Sequence, residues 1–162
     1  MVTPLPPLIF EPNALYLLLL DRGDTYLFHW QLYLSTSPHD GITYHVNNEA
    51  SPTAWEFESC QTISLPTCSR LLLALQVGVL EPMLHAAMGE RLKQVPLTLY
   101  STRYREQLTS RVWVKEALFA LDDEGYITLQ KSVKDIEEEA KYLAMLNKSK
   151  DKRTVTKSTG YM

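Results

Sequence analysis

The chain has 162 residues, 45% of them hydrophobic and 22% charged, a balance that suits one globular domain with room for a real core. A formal net charge of −3 excludes a protein steered as a whole toward nucleic acid or an anionic membrane, and no apolar run is long enough to span a bilayer. Two cysteines, Cys60 and Cys68, are too few for a disulfide framework.

Residues 1–13 read as a proline-rich lead-in, extended because proline fixes φ and cannot donate to a ladder. Its apolar residues are interrupted by Pro4, Pro6, Pro7 and Pro12 and lack a basic leader. A signal peptide is therefore not expected, and a cytoplasmic location with two buried or half-buried thiols follows. The run Ala14 to Leu20 predicts a buried strand closed by a turn at Asp21 to Asp24. From Thr25 to Ser35 the chain alternates. Tyr26, Phe28, Trp30, Leu32 and Leu34 share one face, and His29, Gln31 and Tyr33 share the other.

A turn at Ser37 to Gly41 precedes a second alternating segment, with Ile42, Tyr44 and Val46 opposite Thr43, His45 and Asn47. If these two segments pair as a hairpin, His29 and His45 share a sheet face. A fourth strand is expected at Ala54 to Glu58 and a fifth at Cys68 to Val77. Leu80, Met83, Leu84, Ala87 and Met88 give Val79 to Leu92 a helical period, with Pro82 in its first turn, and Val95 to Tyr100 reads as a brief extended piece.

The stretch Thr109 to Leu121 predicts a helix whose apolar side is Val114, Ala117, Leu118 and Leu121 and whose first turn carries Ser110. Gly125 stops it, and Tyr126 to Leu129 follows as a short segment. A last helix is expected over 131–147, striped by Val133, Ile136, Ala140 and Leu143. Its early acidic residues and the lysines beyond its end suit the macrodipole. The remainder, 148–162, reads as a basic flexible tail. The domain proper is thus 14–129, followed by a C-terminal helix at 130–147. The expected fold is α+β, an antiparallel sheet of about five strands packed against two or three helices.

A helix N-terminus stabilises a thiolate or an oxyanion, and a histidine on an adjoining strand can take a proton from a nucleophile there. His29 is the candidate base, Ser110 the nucleophile position, and His45 the orienter or second base. Asn47 is a second choice for orienter, Gln31 or Gln107 can donate to an oxyanion, and Trp113 can wall a pocket. The competing reading makes Ser110 or Thr109 a helix cap and His29 a core residue. The spacings of His29, His45, Cys60 and Cys68 fit no zinc pattern, so no metal and no cofactor are expected.

Three stretches carry a resemblance: Tyr26 to Tyr33, Tyr44-His45-Val46-Asn47-Asn48 and Trp55-Glu56-Phe57. They look like an uncharacterised family of small fungal domains whose later motif reads approximately Asn-Cys-Arg-x-Trp-Val-x-x-Ala-Leu. Here Thr109 to Leu118 reads Thr-Ser-Arg-Val-Trp-Val-Lys-Glu-Ala-Leu, so Ser110 stands where that cysteine would be. The order of parts is also similar to circularly permuted papain-like enzymes, such as lecithin retinol acyltransferase and the PPPDE isopeptidases. That resemblance implies a permuted papain-like fold and a hydrolase or acyltransferase acting on a small amide, ester or thioester, with secondary metabolism as one setting. The serine leaves three readings open: an engineered replacement of cysteine, a natural active serine, or loss of chemistry. In the last case the domain is a non-catalytic small-molecule-binding or dimeric assembly module, with homodimerisation through the helix at 131–147.

Overall fold

The structure, a computed structural model, describes residues 8–23, 27–63 and 65–159. The proline-rich residues 1–7, Asp24, Thr25 and Tyr26 of the sequence expectations, and residues 160–162 of the expected tail lie outside that set. In chain order the strands β1 (Ala14–Asp21), β2 (Phe28–Ser35), β3 (Gly41–Ser51), β4 (Ala54–Thr62) and β5 (Leu71–Val79) come first. They are followed by α1 (His85–Lys93), the two-residue strands β6 (Tyr100–Ser101) and β7 (Glu106–Gln107), α2 (Ser110–Asp123), α3 (Val133–Ser149) and β8 (Thr154–Lys157).

The main sheet has six strands in the order β4-β3-β2-β1-β5-β8, and β6 and β7 form a separate two-stranded ribbon. Every neighbouring pair in the main sheet is antiparallel except β5 with β8, which is parallel. The fold is therefore α+β. β1 lies inside the sheet, and its unbroken apolar run has the signature of a strand buried on both faces. Leu15, Leu17 and Leu19 face a core completed by Val112, Trp113, Val114, Leu118 and Leu121 of α2 and Ile136, Ala140 and Ala144 of α3. Tyr16 and Leu18 face the other way, onto Phe10, Tyr33 and Leu65.

The expected alternation of β2 holds on its inner face, where Phe28, Trp30, Leu32 and Leu34 are all buried. Tyr33, expected on the polar face, is fully buried as well, because the chain around Phe10 and Leu65 folds over that side. Gly41 makes the β2–β3 hairpin tight: a Cβ there would lie 2.4 Å from the Tyr33 ring and 2.5 Å from the Leu34 carbonyl oxygen. Gly125, at φ +82°, takes the left-handed conformation that ends α2.

Several boundaries depart from the sequence expectations. Val79 finishes β5, Pro82–Leu84 is a 3-10 turn, and α1 begins only at His85. The residues before β5 turn instead of extending, with the Leu71 amide donating to the Cys68 carbonyl. Of the extended piece at 95–100, only Tyr100 pairs, with Gln107. Cys60 is exposed on β4, not buried.

The larger correction concerns the expected flexible tail at 148–162. Thr154–Lys157 adds the sixth strand, and Ser158 is buried with its hydroxyl donating to Glu139 at 2.7 Å. Asn147 joins helix and strand by donating to the Leu72 carbonyl at 2.8 Å and to Thr154 Oγ1 at 2.9 Å. β5 would otherwise leave an open edge, which β8 covers. The apolar stripe of α3 is spent on its own sheet: Val133, Ile136, Ala140 and Ala144 are buried, and Tyr142 and Met145 remain exposed.

Candidate active site

β2 and β3 are paired from Ser35↔Gly41 as far as Leu32↔Tyr44, and the pairing stops there although both strands continue. The first turn of α2 meets β2 just beyond that point. The Trp30 amide donates to Ser110 Oγ at 3.2 Å, so a side-chain hydroxyl takes a backbone donor that a continued ladder would have used. Ser110 is thereby anchored one peptide link from His29. Thr109 is the N-cap of α2, its Oγ1 accepting from the Val112 amide at 3.3 Å, which leaves Ser110 as the first helical residue. The amides of the first helical turn are directed toward this end of the helix, where negative charge is favoured.

His29 and His45 do meet. Their rings pack edge to face, with centroids 5.6 Å apart and planes at 79°. By strand alternation both belong to the face opposite the α2–α3 core, while Ser110 reaches the sheet from the core side. Burial, with the neighbouring charges of His45, Arg22 and Arg70 adding to it, lowers the His29 pKa to about 4, so the ring is neutral at pH 7. His45 Nε2 lies 3.3 Å from Oε2 of Glu58, the residue directly across from it on β4. His45 Nδ1 is buried and has no hydrogen-bond partner among the described residues. Glu58 is thus a third polar member that the sequence reading missed. Its place follows from the β3–β4 register, which sets Glu56 and Glu58 opposite Asn47 and His45.

The other expected site residues are dispersed. Gln31 is half-buried two residues along β2 from His29, on the same strand face. Asn47 Oδ1 accepts from the Glu49 amide at 3.2 Å, a local turn contact, so Glu58 and not Asn47 holds His45. Gln107 is exposed on β7. Trp113 is fully buried and packs against Phe57 with centroids 5.8 Å apart, so it belongs to the core and does not line the cavity beside Ser110. Trp30 does that instead. A cavity of about 380 Å³ opens beside Ser110, lined by Phe28, Trp30, Thr109, Arg111, Lys141 and others, with neither histidine in its wall.

Behind this cavity lies a charge network. Arg111, next to Ser110, donates to Glu106 and Glu137, and Lys115 Nζ is 3.1 Å from Glu137 Oε1. Both Lys115 and Glu137 are buried. Burial pushes the Glu137 pKa up, but Lys115, Arg111 and Lys141 overcome it and hold the carboxyl below its usual value. Among the described residues no group of three or more His, Cys, Asp or Glu could hold a metal ion.

Fold and site together define an α+β protein in which a helix start carrying a hydroxyl docks against a histidine-bearing antiparallel sheet. The chain belongs to the family of unknown function DUF6914, which it matches over residues 13–159. No curated protein and no solved structure matches it. No helix among the described residues is long and apolar enough to cross a membrane.

Proposed function

We propose that this domain is a papain-like hydrolase or acyltransferase of the Cys/His type, acting on a small amide, ester or thioester with Ser110 at the nucleophile position. The observation that carries the reading is the docking of Ser110 Oγ on the Trp30 amide, the peptide link that follows His29, whose ring packs on His45. In the reaction Ser110 Oγ attacks the acyl carbon while its proton passes to His29, whose ring must swing through the open gap between β2 and β3 to reach it from the opposite sheet face. The bond from carbon to the leaving group breaks, and the leaving group takes that proton from the imidazolium. Water or an acceptor alcohol or amine then attacks the acyl-serine ester and restores the hydroxyl. Negative charge on the carbonyl oxygen is stabilised by amides at the start of α2. Glu58 holds His45, and His45 packs against His29 to fix its ring.

The Trp30 N–H and the helix start would stabilise an anion at this position, an environment suited to a thiolate more than to a neutral hydroxyl. The test is intact-mass detection of acyl adducts after incubation with p-nitrophenyl esters and alkyl thioesters, using the native chain and Ser110→Cys. The reading expects an adduct at position 110, faster in the thiol form and lost with His29→Ala. Adducts confined to Cys60 and Cys68, or no adduct in either form, would end it.

A second reading, a module that binds a small molecule without turnover, is favoured by one observation: the cavity beside Ser110 is walled by Phe28 and Trp30 and not by the histidines. The homodimer once motivated by the α3 stripe would have to use the exposed Tyr142 and Met145.

A further inference from the structure

The cavity beside Ser110 has a charge pattern that the acyl-transfer reading does not use. Its wall includes Arg22, Arg111 and Lys141, and no aspartate or glutamate. Two carboxylates stand behind it, Glu106 and Glu137, and Arg111, Lys115 and Lys141 converge on them. With Arg22, four cations face two carboxylates. Arg22 is exposed and forms no ion pair among the described residues. The rest of the wall is apolar: Phe28 and Trp30 form a buried floor, while Leu27 and Met145, 64% and 44% exposed, stand at the rim. A surplus of positive charge beside an apolar floor is complementary to a ligand with one anionic group and a flat or short apolar body.

We infer that this cavity binds an amphipathic carboxylate, its apolar body on Phe28 and Trp30 and its anionic group toward Arg22 and Lys141. If the acyl-transfer reading holds, this ligand is the acyl substrate or its product acid, and the inference rests on that reading only for the word substrate. A carboxylate in this setting is held by charge-assisted hydrogen bonds, for which a neutral amide of the same shape is a poor substitute.

The experiment measures binding to the full chain by calorimetry and tryptophan fluorescence, using phenylacetate, its neutral isostere phenylacetamide, and inorganic phosphate alone. Phenylacetate should bind about tenfold or more tightly than phenylacetamide, a preference that weakens as salt is raised. Phosphate alone should bind more weakly than phenylacetate. The double variant Arg22→Gln/Lys141→Gln, at two solvent-accessible positions, should abolish the preference. Met145→Glu, which sets a carboxylate at the rim, should weaken phenylacetate and leave phenylacetamide unchanged. Equal binding of acid and amide, binding of neither, phosphate as tight as phenylacetate, or a preference that survives both variants would overturn the inference. Carboxylate-selective binding with no acyl adduct at position 110 keeps the cavity assignment and removes the acyl-transfer reading. Adducts from neutral esters with no acid preference do the reverse.

Discussion

His29 is a neutral imidazole held against a second imidazole, and its environment has a measurable consequence. Its folded pKa is about 4 against 6.5 for the free side chain, so between those values the unfolded chain carries a proton that the folded chain refuses. Stability contributed by this group is therefore complete above pH 6.5 and is lost as pH falls toward 4. Because the ring is only partly buried, we expect the loss to reach roughly 1–2 kcal/mol after allowing for solvent screening. Urea unfolding at pH 7 and at pH 4.5, compared between the native chain and His29→Gln, isolates it. The substitution should flatten the pH dependence; an identical slope in the variant would contradict the environment described for His29. That His29 and His45 meet on one sheet face and that Ser110 opens a helix were legible because period-two alternation and a helix start are local signals. Glu58 was not, because its role depends on the register of β3 against β4, which no single segment encodes.

At the scale of elements, α2 is held at its first turn by more than its cap. Arg111 and Lys115 lie one helical turn apart and both reach Glu137 on α3, so the network clamps α2 to α3 close to Ser110. Removing the Glu137 charge leaves the buried Lys115 with only the more distant Glu106, at 3.6 Å, as a counter-charge. Glu137→Gln is expected to lower stability by about 3 kcal/mol, read from the denaturant midpoint, although the amide preserves the shape. A cost below about 0.5 kcal/mol would mean the network is solvated and does not hold the helix. The apolar stripes of α2 and α3 were readable from their helical period. The network was not, because the sequence shows only that charges exist and not which of them the packing of two helices will bury. Trp113 is a related case. In the motif it invites a role in binding, yet its neighbours Val112 and Val114 share its burial, and the helix turns it into the core.

The whole molecule is a sheet built outward from β1, buried on both faces there and splitting between β2 and β3 where α2 arrives. Composition and alternation were enough for the α+β class and for most strands. The sixth strand escaped because Thr154-Val155-Thr156 is framed by lysines and an arginine and lacks an apolar face, so β-branching was its one local sign. Its place comes from the open edge of β5, a property of the assembled sheet. The central claim is likewise one of assembly: three distant segments bring Ser110, His29 and His45 to the point where the ladder ends. It is tested most directly by the rate of iodoacetamide alkylation against pH for Ser110→Cys, with and without His29→Ala. The account predicts a thiol at position 110 that ionises below about pH 7.5, reacts faster than Cys60 at neutral pH, and loses that advantage when His29 is removed. A thiol that titrates near 8.5 like a free cysteine, whether or not His29 is present, would contradict it.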